Sequence, residues 1–593
     1  MVSLLRQARA HRDSGERPVR TGPIRQVVAA ALTLLVLGAV GAVQAALTGA
    51  SFMFDLEQTD PALSRTAPTL PDPHTPRLAR RVFLVVIDGL RLDRSYELPF
   101  LDELRRRGVD GEATSHYPSW SRPNYVSILT GVPPHASGVR TNHHTAPVAL
   151  DSLMDRARAA GLHVATATDY DVLPRMFLRP RAGDLPIHAP PPSPSEAEAE
   201  PETDRLDVDS LETPSSQAGV RAPDANLASP FDDARYAPWP GGFSEAGSAL
   251  VAGDADLVVL LVGAVDAAGH ARGGDSPAYR EAAETADHAL ARVLSRIDLS
   301  QDTVVVTADH GHTGRGGHGG VEPEVLNVPL IAAGAGIRPG ATANDARLID
   351  VAPTVAALLA LPAPGHGLGR TLTELLTLDG PARARRVEAD HTRLAATGAT
   401  VRAAESAAAS DVLALRAQRI ALVAGGALLA GGLAILLIRR RVMRLDRRAL
   451  VVSIPAFFVV YYGLLATMGK FSPSLLPAQG HLAGQMVRYG VISMIAQLAA
   501  SLWALSNRPT LGERLAAANG IAWTGLMSTM VPAGLIWAFF PPPYVELPGP
   551  LWLVLIPAAL VAVACAAINV ALVLGVEVVI FTARAWHRVP PPE

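Results

Sequence analysis

The sequence contains almost no cysteine. Among its 593 residues there is one, Cys565, so the chain can form neither an internal disulfide nor a cysteine-ligated metal site. It also lacks an excess of basic residues, since 52 lysines and arginines stand against 55 aspartates and glutamates. Without an overall positive field, the composition gives no support to nucleic-acid binding.

Charged residues are scarce, at 18%, whereas 49% of residues are apolar, a high share for a wholly soluble protein. The first apolar run of membrane-spanning length is Val27–Leu47. Several arginines in residues 1–26 favour a cytoplasmic N-terminus, so residues 27–47 are predicted to form a transmembrane anchor. A cleaved signal peptide is the alternative, because residues 43–46 can be read as a cleavage site. Both interpretations place the chain beyond residue 50 outside the cytoplasm.

A second apolar region, residues 419–582, is predicted to be an all-α transmembrane region. It contains five candidate spans, at residues 420–438, 449–468, 486–505, 518–540 and 551–575. The arginines of residues 439–448 belong in the cytoplasm, as does the tail, residues 583–593. The anchor and these five spans make six crossings with both termini inside, and this topology agrees with the charges of every loop. We therefore expect a multi-pass protein of a bacterial inner membrane with a periplasmic domain, for which the lack of disulfides is acceptable.

The region between these apolar segments alternates strand and helix patterns over residues 82–372. Continuous apolar runs at Val82–Ile87, Leu257–Val262 and Thr303–Thr307 predict buried strands, with a helical pattern over residues 277–297. Such alternation predicts an α/β domain with a doubly wound, mostly parallel sheet, which we place at residues 75–375.

Two stretches of this outer part have a different composition. Residues 183–230 are rich in Pro, Glu, Ala, Ser and Asp with almost no aromatic residues, which predicts a disordered surface insertion. Residues 376–418 are rich in Ala and Arg and are predicted to form a helical connector to the membrane region.

Four short motifs carry the residues of chemical interest. Each follows an apolar run or opens a helical pattern: Asp88-Gly89, Ser121-Arg122-Pro123-Asn124, Asp266 to His270, and Asp309-His310-Gly311 with His318. Any one of them is weak evidence, because an Asp after a strand is usually a cap or turn residue. Ligands of doubly wound sheets gather at the carboxyl ends of the strands, so the four together are a strong signal for one site.

From Val82 to about Arg370, these motifs resemble the alkaline phosphatase superfamily, most closely its type I phosphodiesterase and nucleotide pyrophosphatase branch. The resemblance implies two zinc ions, one held by Asp88, Ser121, Asp309 and His310, the other by Asp266, His270 and His318. Imidazole and carboxylate suit zinc, with manganese as the alternative where carboxylates dominate. It further implies that Ser121 is the nucleophile, forming a phosphoserine, and that Asn142, 21 residues later, binds a phosphate oxygen.

Other branches of the superfamily leave alternatives open. Sulfatases have an Arg where this chain has Tyr125, which disfavours sulfatase activity. Alkaline phosphatases carry an Arg directly after the nucleophile, as Arg122 is here, so Arg122 is a candidate phosphate contact. The Ser-Arg-Pro triplet and residues 170–177 resemble the GPI ethanolamine phosphate transferases, which share the arrangement of anchor, outward domain and multi-span region. His312 either lines the site or lies on an exposed loop.

The resemblance therefore predicts a membrane-anchored, two-metal phosphoryl-transfer enzyme that cleaves phosphate esters, above all phosphodiesters. A phosphoethanolamine-type transferase acting on a lipid or glycolipid is the first alternative, because five spans exceed what a soluble nucleotide substrate requires. An inactive membrane scaffold is the second, disfavoured because no ligand position is lost. The natural substrate and the oligomeric state stay open.

Overall fold

The structure, a computed structural model, describes residues 72–177, 232–467 and 479–539 apart from isolated positions, and a few single residues elsewhere. Five sequence predictions lie outside the described residues: nearly all of the cytoplasmic N-terminus at 1–26 and of the anchor at 27–47, the insertion at 183–230, the last span at 551–575 and the tail at 583–593.

Seven strands and fifteen helices are named here in chain order. The strands are β1 (Arg81–Ile87), β2 (Val109–Thr114), β3 (Val164–Thr168), β4 (Asp232–Tyr236), β5 (Leu257–Val262), β6 (Asp302–Thr307) and β7 (Asn327–Gly334). The helices are α1 (Leu92–Ser95), α2 (Pro99–Arg107), α3 (Ser121–Thr130), α4 (Pro134–Ser137), α5 (Leu153–Ala159), α6 (Val172–Phe177), α7 (Gly241–Ala252), α8 (Ala264–Arg272), α9 (Pro277–Leu294), α10 (Pro323–Leu326), α11 (Val351–Leu358), α12 (Gly380–Arg439), α13 (Arg447–Thr467), α14 (Gln479–Leu505) and α15 (Leu511–Phe539).

The seven strands form one sheet in the order β2-β7-β6-β1-β5-β3-β4. β1 pairs parallel with both β5 and β6, and β3 pairs parallel with β5 and β4. β7 runs antiparallel to β6 and to β2. The α/β fold with a mostly parallel sheet, predicted from the alternating pattern, is confirmed.

The centre of the sheet brings three strand ends to the same level. All seven residues of β1 are buried, as expected for a strand covered on both faces. Its last residue, Ile87, lies opposite Val262 at the end of β5, and Val86 lies opposite Thr307 at the end of β6. The segments that follow β1, β5 and β6 therefore leave the sheet side by side.

The opposite end of the same strands is closed by an ion-pair cluster. Asp302, the buried first residue of β6, accepts hydrogen bonds from Arg80 at 3.0 Å and from Arg81 at 2.7 Å. Arg81 also donates to the carbonyl of Val251 at 2.8 Å. The buried charge of Asp302 is thus matched by two guanidinium groups.

The chain divides into two compact units. One comprises residues 56–406 with 472–475, and contains the sheet; the other comprises residues 1–55, 407–471 and 476–593. Helix α12 is continuous over 60 residues, so a single helix covers both the predicted connector and the first predicted C-terminal span.

Among the described residues, two helices are long and apolar enough to cross a membrane, Leu413–Arg439 and Arg447–Ala466. Within their unit, α13 and α14 are joined by a buried hydrogen bond between the hydroxyls of Ser453 and Ser501, 2.6 Å apart. Two apolar helices are consistent with a membrane region, while the five-span topology stays a prediction.

Candidate active site

The level strand ends bring three acidic residues together. Asp88 directly follows β1, Asp309 comes two residues after β6, and Asp266 lies in the first turn of α8, which follows β5. Gly89 permits their close approach, because it has a φ of +74° and a Cβ there would lie 2.8 Å from the Cα of Asp266. The predicted gathering of the motifs at the carboxyl edge of the sheet is what the structure shows.

Ser121 is the first residue of α3, so its hydroxyl lies at a helix N-terminus, where a negative charge is stabilised. The segment before it is held by Asn124, whose side-chain amide donates to the carbonyls of His116 and Trp120, each at 3.1 Å. The Ser121 Oγ lies 3.1 Å from the Nε2 of His310, and both residues are buried. The serine is therefore fixed in contact with the Asp-His motif that follows β6.

Asp88, Asp309 and His310 form the first group with metal-binding geometry, their ligand atoms lying within 4.8 Å of one another. The Nε2 of His310 is 3.4 Å from Asp88 Oδ1 and 3.3 Å from Asp309 Oδ2. Its Nδ1 lies 3.1 Å from the carbonyl of Gly311, which can only accept, so Nδ1 carries the proton. The Nε2 of His310 thus faces both carboxylates and the hydroxyl of Ser121.

Each of these two carboxylates has one satisfied oxygen and one without a donor. Asp309 Oδ1 accepts from the backbone N–H groups of Gly89 and His310, at 3.1 and 3.0 Å. Asp88 Oδ2 accepts from the hydroxyl of Tyr125. Asp88 Oδ1 and Asp309 Oδ2 are buried without a hydrogen-bond partner among the described residues. Since buried polar atoms are nearly always satisfied, these two oxygens fit a bound cation.

Asp266, His270 and His318 form the second such group. Asp266 lies 3.5 Å from the Nε2 of His270 and 3.6 Å from that of His318, and the two Nε2 atoms are 3.0 Å apart. The Nδ1 of His318 donates to the carbonyl of Ser119 at 2.8 Å, which turns Nε2 toward the group. All seven residues that the sequence assigns to metal binding are thus brought together, in the two predicted sets; their binding of metal is a proposal.

Burial makes the acidic cluster electrostatically unfavourable without a cation. The pKa of Asp88 is raised well above its usual range by burial and by the charges of Asp309 and Asp266. Burial also raises the pKa of Asp309. For Asp266 burial acts in the same direction, but His270 and the hydrogen bond from His312 outweigh it and lower the pKa well below the usual range.

His312 is the functional candidate that the sequence left undecided. It is fully buried, and its Nδ1 accepts the backbone N–H of Gly317 at 3.1 Å, so Nε2 carries the proton that is donated to Asp266 Oδ1 at 2.7 Å. Its ring lies against Gly269, where a Cβ would be 2.4 Å from the imidazole. The absence of a side chain at Gly269, 43 residues before His312, makes room for this close packing. His312 therefore orients Asp266.

The two predicted substrate contacts lie beside the serine. The Oδ1 of Asn142 accepts the backbone N–H of Arg122 at 3.0 Å, which leaves the Nδ2 group of Asn142 as a donor next to Ser121. The guanidinium of Arg122 donates to the carbonyl of His144 at 2.8 Å and lies 3.3 Å from the hydroxyl of Tyr170. Binding of phosphate by either side chain stays a proposal.

Comparison with known proteins fits this geometry. Residues 82–321 match the family model described as type I phosphodiesterase / nucleotide pyrophosphatase. This match supports the resemblance to the alkaline phosphatase superfamily that the motifs predict. An enzyme of the phosphoryl-transfer type is likewise supported by the proteins that this chain resembles. The match ends just after His318, so it contains all four motifs.

Two groups of curated relatives share parts of the chain. Human GPI ethanolamine phosphate transferase 1 is 24% identical over 354 residues, which cover 54% of this chain and 35% of the relative. A 2,3-bisphosphoglycerate-independent phosphoglycerate mutase from Roseobacter denitrificans is 36% identical over 126 residues, covering 20% of this chain and 23% of the mutase. The chain thus spans about a third or less of the length of these relatives. Among solved structures, murine ectonucleotide pyrophosphatase / phosphodiesterase 5 is 15% identical with a TM-score of 0.35, covering 48% of this chain and 96% of that one.

Proposed function

We propose that this chain is a membrane-anchored, two-metal phosphoryl-transfer enzyme that cleaves phosphodiesters through a phosphoserine at Ser121. The observation that carries the proposal is a pair of buried carboxylate oxygens, on Asp88 and Asp309, that have no donor in the part of the chain that the structure describes. Both face the Nε2 of His310, and the Ser121 hydroxyl lies 3.1 Å from that nitrogen. A candidate nucleophile and candidate metal ligands therefore lie together in one buried site.

The donor set suits two zinc ions. Each group supplies imidazole nitrogen and carboxylate oxygen, the ligands that zinc accepts readily, with manganese as an alternative. Asp88, Asp309, His310 and Ser121 would hold one ion, and Asp266, His270 and His318 the other. Bound cations would lower the pKa of the serine hydroxyl and offset negative charge on the transferred phosphoryl group.

The residues of the chain then divide the reaction into two displacements. In the first, the Ser121 hydroxyl gives up its proton and its Oγ forms a bond to phosphorus, while the bond to the leaving oxygen breaks and that oxygen takes up a proton. In the second, an acceptor oxygen loses its proton and bonds to phosphorus, while the bond to the serine oxygen breaks and that oxygen takes up a proton. The N-terminus of α3 and the Nδ2 group of Asn142 stabilise the negative charge near the phosphorus.

Charge favours a diester over a monoester. Three carboxylates and the ionised Ser121 carry four negative charges, whereas two divalent cations and the guanidinium of Arg122 carry five positive ones, so one net positive charge remains to match the single charge of a phosphodiester. The carbonyl of His144 and the hydroxyl of Tyr170, which Arg122 contacts, are neutral groups and do not offset its charge. The substrate class we propose is therefore a phosphodiester, with a lipid-linked one favoured by the apolar helices Leu413–Arg439 and Arg447–Ala466.

A phosphoethanolamine-type transferase is the second candidate. It is favoured by the relatedness to GPI ethanolamine phosphate transferase 1 over 354 residues. In this case a hydroxyl of a lipid or glycolipid, in place of water, accepts the phosphoryl group from Ser121.

We also propose a multi-pass location in the inner membrane with the sheet-containing unit on the periplasmic side.

The test uses the full-length chain in detergent with zinc. It is assayed with bis(4-nitrophenyl) phosphate as diester and 4-nitrophenyl phosphate as monoester. We expect faster cleavage of the diester, and loss of cleavage with a chelator or in Ser121→Ala. Ser295→Ala, which removes an exposed hydroxyl at the end of α9, is the matched control and should behave as the wild-type protein.

Acid quenching with a radiolabelled diester would report the covalent step directly. Label should remain on the wild-type protein and be absent from Ser121→Ala. Cleavage that persists in Ser121→Ala would contradict the nucleophile assignment. A zinc-loaded protein that cleaves neither chromogenic substrate, but transfers the head group of phosphatidylethanolamine to an added alcohol, would establish the transferase instead.

A further inference from the structure

Tyr125 stands one turn after the nucleophile, at the position where sulfatases have arginine. It is buried in the middle of α3 with 1% of its surface exposed. Its hydroxyl donates to Asp88 Oδ2, the oxygen of that carboxylate that faces away from His310. A residue with no assigned role thus contacts a candidate metal ligand directly.

We propose that Tyr125 is a positioning residue that holds Asp88 in its metal-binding orientation, so that Oδ1 is presented to the cation. The inference rests on the proposed function, since it requires that Asp88 binds metal. Asp88 follows β1, and its backbone N–H continues the ladder to the carbonyl of Val262 at 2.9 Å, which fixes the main chain but leaves the side chain free to rotate. Tyr125 supplies the contact that stops this rotation.

The tyrosine is itself held in place by its surroundings. Its ring meets the ring of Tyr170 edge-on, with centroids 6.4 Å apart. The hydroxyl of Tyr170 in turn lies 3.3 Å from the guanidinium of Arg122, three residues before Tyr125 on the same helix. Since ligating carboxylates are tuned by their hydrogen-bond partners, this arrangement makes the nucleophile helix responsible for one metal ligand as well as for Ser121.

The experiment is a zinc titration of the full-length metal-free protein in detergent against a chelating dye. Tyr125→Phe keeps the ring and removes only the hydroxyl. We expect it to weaken one of two zinc sites about 10- to 100-fold and to leave the other unchanged. Tyr96→Phe, at a half-exposed tyrosine on the surface, is the matched control and should bind zinc as the wild-type protein does.

A double-mutant cycle separates positioning from a general effect on folding. In an Asp88→Asn background, Tyr125→Phe should produce no further loss of zinc affinity, whereas a purely structural role would add its effect in both backgrounds. Equal zinc affinity of wild-type and Tyr125→Phe proteins overturns the positioning role while leaving the metal sites in place. A wild-type protein that binds neither zinc nor manganese overturns the proposed function, and the inference with it.

Discussion

His310 and His318 stack face to face, with ring centroids 3.7 Å apart and planes inclined by 11°. They belong to the two different candidate metal-binding groups, so this contact is where the two groups adjoin. Both rings are buried, and burial together with the neighbouring His310 lowers the pKa of His318 well below its usual value. His318 is therefore kept neutral, and neutral imidazole is the form that can bind a metal.

Replacing His270 should remove one metal and spare the fold. Its side chain is 52% exposed, so His270→Ala creates little cavity, but it deletes one of three protein ligands of the second group. We expect zinc content to fall from about two ions to about one per chain. Elemental analysis after gel filtration measures this. His288→Ala, at an exposed histidine on α9, should keep both ions; unchanged content in His270→Ala would contradict the ligand assignment.

Two substitutions of Asn142 distinguish a contact with the substrate from a role in holding the loop. Asn142→Ala removes both the acceptor for the Arg122 N–H and the donor beside Ser121, whereas Asn142→Asp keeps the acceptor alone. If the Nδ2 group stabilises phosphate charge, both variants should lose diester turnover by about 100-fold. Steady-state kinetics on bis(4-nitrophenyl) phosphate decide the point. Near-normal turnover of Asn142→Asp would mean that the residue only holds the loop.

We expect His312 to support zinc binding at the second group through its Nε2 proton. His312→Ala leaves Asp266 Oδ1 without its donor and should weaken zinc binding at the second group by about 10- to 100-fold. His312→Gln can still donate from its amide and should recover part of the affinity. His312→Asn keeps an acceptor near Gly317 but does not reach Asp266, so it should resemble alanine. Zinc affinity is measured by dye competition. If all three variants bind zinc as tightly as the wild-type protein does, the orienting role is contradicted.

Asp302 gives a prediction for stability against pH. Burial alone would raise its pKa, but hydrogen bonds from Arg81 and Arg80 lower it below the ordinary value. A carboxyl with a lowered folded-state pKa stabilises the fold above the unfolded-state pKa of about 4, and this contribution is lost as the pH falls through the folded-state value. Asp302→Asn should therefore lower the free energy of unfolding by roughly 2 kcal/mol at pH 7.

The difference between Asp302→Asn and wild type should shrink as the pH falls below about 4. Urea denaturation at pH 7 and at acid pH measures it, with the exposed Asp254→Asn as control. A difference that is the same at both pH values would show that the charge of Asp302 contributes nothing.

The central strands and the gathering of the motifs could be predicted from sequence. β5 has the bounds predicted for Leu257–Val262, and β1 and β6 each begin one residue earlier than predicted. These strands are buried on both faces, so their apolar runs are continuous and easily recognised. The antiparallel β7 and its partner β2 could not be placed, because strand order depends on packing over long sequence distances.

Within the site, residue types and chain order indicate the candidate metal ligands but not the contacts that orient them. In the sequence, Tyr125 is distinctive only because it stands where sulfatases have arginine, and its bond to Asp88 spans 37 residues of sequence. The sequence around His312 suits an exposed loop equally well, since glycines surround it on both sides. Its burial follows from the space left by Gly269 on α8, which no local pattern around His312 reveals.

β6 leads from one buried aspartate to another. Asp302 at its start has two arginine partners, whereas Asp309 beyond its end shares a buried cluster with Asp88 and keeps one oxygen unsatisfied. Unfavourable buried charge therefore lies at the carboxyl edge of the sheet, where the candidate active site is. Without metal, this edge should be the first to open to proteases, and Asp309→Asn should make the inactive apoprotein harder to unfold than the wild type. Under the proposed function, metal supply would then decide how long the protein survives as well as whether it is active.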